Sequence, residues 1–201
     1  MTSTTRTTEL EAVNVILNTI GEAPLSSLTG SLPVDGTVAK NVLSEINREV
    51  QSYGWHFNTS FKVTLAKDTS NKIPIGSNVV RIELDPYKHD KNKINVVQRG
   101  NYLFNIATNT DIFDENIENV KVVYLLPFDD IPEQAKRYIT IRAGRIFHDR
   151  TLGANTLHKF SKEDEIQALS LLKQAETATG DYSIFDTPEQ AYTVVRNNGV
   201  Y

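Results

Sequence analysis

The sequence has no cysteine. That absence removes disulfides, thiolate zinc sites, iron–sulfur clusters and a cysteine nucleophile together. It does not fix a redox compartment, because a cysteine-free chain tolerates either. Long apolar runs are also missing. Met1 to Thr8 is Thr-rich with Arg6 as its one charge, and no apolar stretch of the roughly 7–15 residues of a secretory signal follows. No window approaches the ~20 apolar residues of a spanning helix. The expected product is soluble, takes no membrane partner and stays in the cell that makes it unless something carries it out. P-loop and dinucleotide glycine patterns are absent, as is G-x-S-x-G. His56, His89, His148 and His158 are far apart, and none has a histidine four residues on, so the helical zinc pair is missing. They read as exposed or core side chains, and no metal or cofactor is expected.

What is present suits a packed core. The 201 residues are 39% hydrophobic and 23% charged, enough for one domain or two small ones. A net charge of -4 and a pI of about 5.6 argue against a surface that is a nucleic-acid footprint throughout. A local basic patch stays possible.

The chain reads as helices, then strands, then helices. Thr8 and Glu11 have capping-box spacing, and Leu10, Val13, Leu17 and Ile20 share one face up to Gly21 and Pro24. A second helix is expected from an Asp35 N-cap to Tyr53, with Val38, Val42, Ile46 and Val50 on its stripe and Gly54 as its end. The period then becomes two. Phe57, Thr59, Phe61, Val63 and Leu65 alternate with polar residues, as do Val80, Ile82 and Leu84. Ile94 to Gln98 and Tyr102 to Ile106 flank a short hairpin loop at Arg99-Gly100-Asn101, and Val120 to Leu126 is a further apolar strand. Helical spacing returns with Asp130, Pro132 and Glu133 as a start and Gly153 as a stop. Ser161 and Asp164 open a fourth helix with Ile166, Leu169, Leu172 and Ala175 as its stripe. These features predict an α+β fold. Residues 1–54 and 128–180 form a discontinuous four-helix bundle, 55–127 an inserted antiparallel β-rich module, and 181–201 an extended C-terminal arm.

Few residues carry chemistry. Asp129-Asp130 and Glu163-Asp164-Glu165 are the dense carboxylates, and paired acids across a cleft are what a glycosidase needs. Both groups fall at expected helix starts, where acids meet the positive dipole end. Lys136, Arg137, Arg142, Arg145 and Arg150 crowd the third helix but spread around its axis at about 100° per residue. They are expected to pair with acids, for example on the fourth helix, or to lie at subunit contacts. Trp55, the only tryptophan, stands between Gly54 and His56 at the helix-to-strand switch, close to Phe57. It is either a seal at the junction or a partner-facing anchor.

Together these residues carry a resemblance. The opening from Glu9 to Pro24, with its Ile20-Gly21-Glu22-Ala23-Pro24 element, then Leu28 and Gly30, resembles the start of tail tubular protein A. This family comprises the head-to-tail adaptors of short-tailed, podovirus-type phages. The likeness continues at Val50 to Asn58, with Gly54-Trp55-His56-Phe57-Asn58, and at Gln98 to Leu103. It resumes at Ile131-Pro132-Glu133, Tyr138-Ile139, Ala143 to Phe147, Arg150 to Gly153, Glu165, Ala168 and Tyr182 to Phe185. Coverage is nearly full length and in order.

The resemblance implies a non-enzymatic structural subunit of the virion. Such adaptors form a dodecameric ring of identical subunits between the portal protein and the tail nozzle protein (tail tubular protein B type). The ring is a segment of the DNA channel, retaining the genome and passing it at ejection without sequence-specific binding. Synthesis in the host cytoplasm is implied. Tyr182, Ile184, Phe185, Tyr192, Val194 and Val195 of the arm, with Arg137, Arg142 and Arg145, are then the expected portal or neighbour contacts. A ring protein needs heterologous interfaces rather than a catalytic pocket, so empty motif searches fit. Two other readings stay open: a carboxylate hydrolase of cell-surface polysaccharide, using Glu163 and Asp129, and a DNA-binding module.

Overall fold

The computed structural model describes residues 5–153 and 155–180. Four α-helices and small antiparallel sheets make an α+β fold. Helix α1 (Glu9–Asn18) starts on the expected capping box: Glu11 N donates to Thr8 Oγ1 at 3.2 Å, and Thr8 N donates to Glu11 Oε2 at 2.8 Å. Gly21 then takes φ +80. Helix α2 (Val34–Gln51) differs at its start. Pro33, with φ -54, is the N-cap and makes no side-chain bond, while Asp35 lies inside the first turn. A preset proline φ replaces the side-chain cap, and Asp35 still meets the dipole's positive end.

The chain leaves α2 through Gly54 (φ +77) and makes a 3-10 turn at His56–Asn58 before β1 (Thr59–Leu65). Phe57 therefore precedes the strand instead of opening it, and packs on the helical core. Strand β2 (Val79–Leu84) lies on the far side of β5 (Ile117–Tyr124), giving the order β1-β5-β2, antiparallel throughout. Strands β3 (Val96–Arg99) and β4 (Tyr102–Asn105) form a separate hairpin, with Gly100 at φ +63 in the two-residue turn. The central place of β5 explains its apolar run, since Val120, Val122 and Val123 are all buried.

Strict alternation fails in β1. The register slips between Ser60 and Val63, where Lys62 has φ +56, and again before Leu65, opposite Asn119 with φ +55. Each slip is a bulge, one extra residue on one strand. Phe61, expected on the face of Val63 and Leu65, is 52% exposed as a result.

Helix α3 (Glu133–Leu152) follows a 3-10 turn at Phe128–Asp130, so the expected Asp130 cap does not form; Pro132 is the N-cap. The Glu133 carboxylate instead accepts from Thr7 N at 2.9 Å and Thr7 Oγ1 at 2.8 Å. Gly153, at φ +62, ends α3 as expected. Helix α4 runs Asn155–Gly180, beginning six residues before Ser161. Glu163 to Glu165 therefore lie within the helix and not at its start. Its buried face carries Glu165, Ala168 and Leu172, while Ile166 is 61% exposed.

Two hydrophobic clusters result. One draws Val13, Ile16 and Leu17 from α1, Val42, Leu43 and Ile46 from α2, Ile139 and Phe147 from α3, and Leu172 from α4. The other joins Ile73, Leu103, Phe113, Ile117, Val120 and Val122 in the strand-rich middle. Each fully buried aliphatic side chain contributes about 1.5–3 kcal/mol, so no amphipathic helix here stands without its neighbours.

Candidate functional site

The cations of α3 are the densest charged group in the helical part, and most of them have intramolecular partners. Arg142 bridges two helices: Nη2 reaches Glu49 Oε1 on α2 at 2.6 Å, and Nη1 reaches Glu165 Oε1 on α4 at 2.6 Å. Arg145 Nε takes the other oxygen, Glu165 Oε2, at 2.5 Å, and its Nη1 reaches Asp149 at 3.2 Å. Glu165 is thus a buried carboxylate held by two guanidinium groups. Burial alone would lower the Arg142 pKa, but the bonds to Glu165 and Glu49 outweigh it and hold the pKa above its ordinary value. Arg150 makes a bidentate pair with Glu45 at 2.8 and 2.9 Å, which lowers the Glu45 pKa and raises its own. Lys136 is buried, and its Nζ donates to Thr7 O at 2.8 Å. Arg137 alone of the five is exposed and in no ion pair among the described residues. The pairing expected with the fourth helix is present for Arg142 and Arg145, and these side chains tie α2, α3 and α4 together.

Two of the dense carboxylates, Asp129 and Glu165, have structural duties. Asp129 Oδ1 accepts from Glu9 N at 2.9 Å and fastens the start of α1. Glu163 and Asp164 are exposed on α4, and Glu165 is held by the arginines. No group of three His, Asp or Glu that could hold a metal ion occurs among the described residues. His89 Nε2 bonds Glu118 O at 2.8 Å, and His56 N donates to the Glu176 carboxylate.

At the switch between helix and strand, Gly54, Trp55 and Phe57 stand together. A Cβ on Gly54 would meet Arg81 Nη2 at 2.5 Å and Val123 Cγ2 at 3.0 Å, so glycine is needed for space as well as for φ. Arg81 Nη2 donates to Tyr53 O at 3.0 Å across this gap. Trp55 Nε1 donates to Val50 O at 2.7 Å, and its ring packs partly on the helical cluster. Two residues that sequence reasoning missed complete the joint. Gln51 is fully buried; its Nε2 donates to Leu126 O at 2.9 Å and its Oε1 accepts from Leu126 N at 2.8 Å. Asn58 Nδ2 donates to Gln51 O at 2.8 Å and Tyr124 O at 2.7 Å. The available signal was an amide in the last turn of α2 beside the stripe residue Val50.

Beside Trp55 lies a pocket of about 240 Å³ lined by Glu49, Tyr53, Trp55, Tyr138, Leu169 and Lys173, among others. It has aromatic walls and charged groups at its edge. The expected contacts Tyr182, Ile184, Phe185, Tyr192, Val194 and Val195, and the arm at 181–201, lie outside the described residues.

No helix among the described residues is long and apolar enough to cross a membrane. No curated protein matches the chain. A family model, Tube, described as tail tubular protein, matches residues 10–182 and so runs from the second residue of α1 past the end of α4. The chain belongs to the tail tubular protein family and is a structural protein of the phage tail.

Proposed function

We propose that this protein is the head-to-tail adaptor of a short-tailed phage. Twelve identical subunits form a ring between the portal protein and the tail nozzle protein, and the ring's lumen carries the double-stranded DNA. The ring retains the genome and passes it at ejection. The observation that carries the reading is the family match over 10–182, which runs through both helical parts and the strand-rich middle in one stretch. The chain's own chemistry is in keeping with it. Four of the five cations on α3 have intramolecular partners, so little positive charge there is left to grip phosphates. A lumen wall without a basic coat lets DNA slide, because each lysine– or arginine–phosphate contact releases counterions and strengthens the hold.

In this reading residues 1–54 and 128–180 act as one four-helix bundle around the single cluster to which all four helices contribute. Residues 55–127 are the inserted β-rich module. Residues 181–201 are an arm that gains its buried surface on the portal or a neighbour, and Arg137, Arg142 and Arg145 of α3 are the further contacts with portal or neighbour, Arg137 being the exposed one of the three. Synthesis in the host cytoplasm precedes assembly into the virion. Native mass spectrometry of the protein mixed with purified portal tests the proposal. A portal-bound assembly of about twelve subunits is expected; a strictly monomeric protein without portal affinity overturns it.

A further inference from the structure

The pocket beside Trp55 is small and half-built. At about 240 Å³ it falls below the roughly 300–1,000 Å³ of small-molecule sites, and suits an inserted side chain instead. Trp55, Tyr53 and Tyr138 give it aromatic walls, and Val50 and Leu169 an apolar floor. Tyr53 is 71% exposed although its ring stands 6.3 Å from that of Trp55. The indole N–H is already bonded to Val50 O, so the ring is fixed in place and cannot turn away to bury itself. Lys173 at the edge is exposed and in no ion pair among the described residues.

The chain passes close to this pocket as it leaves the described fold. Leu169 and Lys173 are on α4, and the Glu176 carboxylate one turn on is bonded to His56 N, next to Trp55. Gly180, the last helical residue, is seven positions past Lys173, about 10 Å at ~1.5 Å per residue. Five residues of chain reach at most roughly 17 Å, long enough to return from Gly180 to the pocket. Those residues are Asp181-Tyr182-Ser183-Ile184-Phe185, with Asp186 next: an apolar and aromatic group between two acids. Aromatics match the walls, and the acids match the free ammonium of Lys173.

We propose that the Trp55 pocket is the dock for the chain's own Tyr182–Phe185 segment before assembly, with the Phe185 ring seated against Trp55. This rests on the reading of 181–201 as an arm and adds where the arm is held until a partner takes it. Dock and partner then compete for the same aromatic residues, so the free subunit keeps its adhesive segment covered.

The single tryptophan makes the test direct. In the isolated full-length protein, Phe185→Ala should raise the acrylamide quenching constant of Trp55 about twofold, as loss of a water-excluding contact does. Tyr192→Ala should leave it unchanged. The effect should not vary with protein concentration. Because the chain has no cysteine, Glu49→Cys on the α2 side of the pocket with Ser183→Cys supplies a second readout, an intrachain disulfide on mild oxidation between positions far apart in the chain. Unchanged quenching in Phe185→Ala, an equal rise in Tyr192→Ala, or disulfide-linked dimers in place of the intrachain bond each overturn the proposal. Dimers would assign the pocket to a second copy. Portal affinity is measured separately, so failure of the adaptor reading and failure of the dock are told apart.

Discussion

The helical part and the strand-rich middle solve the same problem by different means. Where the helices break, the chain uses glycine: Gly21, Gly54 and Gly153 all take positive φ. In the middle, positive φ falls largely on other residues, namely Lys62, Asn71, Asn109 and Asn119. The helices are tied to one another by side-chain charge, through Arg142, Arg145 and Glu165. The middle is tied by backbone ladders and by turns closed on Asp68, Asp85 and Asp90. Helical order therefore depends on a few long side chains meeting across space, and strand order on many local conformations, some of them strained. The first is vulnerable to single charge deletions. The second is vulnerable to β-branched residues at its bulges.

The largest effect is expected where charge is buried. Glu165→Ala leaves Arg142 and Arg145 without their shared carboxylate. Removing one partner of a buried pair costs about 3–5 kcal/mol; here Glu49 and Asp149 remain, and we expect about 2–3. In a chain of this length that lowers the melting temperature by about 5–10 °C. Hydrogen exchange should report the loss in α4 first. Equal loss of protection in β5 would show that the two regions open as one unit, and the comparison would collapse.

Next comes the joint. Gly54→Ala must hold an alanine at φ +77 and displace the Arg81 guanidinium that binds Tyr53 O. Left-handed strain of roughly 1–2 kcal/mol plus a hydrogen bond worth about 1 gives about 2–3 kcal/mol. Urea denaturation reads it. Because the residue touches both regions, hydrogen-exchange protection in α2 and in β5 should fall by the same amount. A fall confined to one of them would place Gly54 in that region alone.

The same contrast explains what could be read from the chain. The α1 capping box, the Gly153 stop and much of the apolar stripes of α1 and α2 were legible because they depend on neighbours within a turn or so, though Val38 of the expected α2 stripe is 39% exposed and the buried Ile16 of α1 lay outside the expected one. The start of α3 was not, because Glu133 is engaged by Thr7, 126 residues away, rather than by Asp130. Ser161 and Asp164 have cap spacing, yet a cap signal does not forbid a helix that began earlier. Phe61 was assigned to the wrong face because period two assumes an unbroken strand, and a lysine at φ +56 leaves no sequence mark. At the candidate site, the pairing of α3 arginines with α4 was foreseeable from charge spacing. The Gln51–Leu126 and Asn58–Tyr124 bonds were not, since each joins segments more than 60 residues apart.

A smaller effect separates the regions by backbone alone. Lys62→Val and Asn119→Val put β-branched side chains at φ +56 and +55, and each should cost about 1–2 kcal/mol. Lys62→Gly and Asn119→Gly relieve the strain but loosen the unfolded chain, and should stay within about 0.5 kcal/mol of the parent. Chemical denaturation of the four variants checks this. If the glycine variants were as damaged as the valine ones, the lysine and asparagine side chains themselves would be holding the bulges, and the middle would resemble the helical part after all.

The smallest effect comes from the surface pairs, which both regions share. Hydrogen bonding to Arg150 lowers the Glu45 pKa, and hydrogen bonding to Lys72 lowers that of Asp111. For Glu133, burial pushes upward but the bonds from Thr7 prevail, so its pKa is lowered too. A carboxyl with a lowered folded pKa adds stability that is fully present above its unfolded value, about 4. That stability is lost as pH falls through the folded value. Unfolding midpoints should therefore be flat from neutral pH down to about 5, then fall, and 1 M salt should flatten the fall by screening to about 3 Å. Glu45 and Glu133 belong to the helical part and Asp111 to the middle, so acid should weaken both together. Hydrogen exchange that showed the middle failing at a higher pH than the helices would mean that its backbone strain, rather than its charge pairs, sets its acid limit.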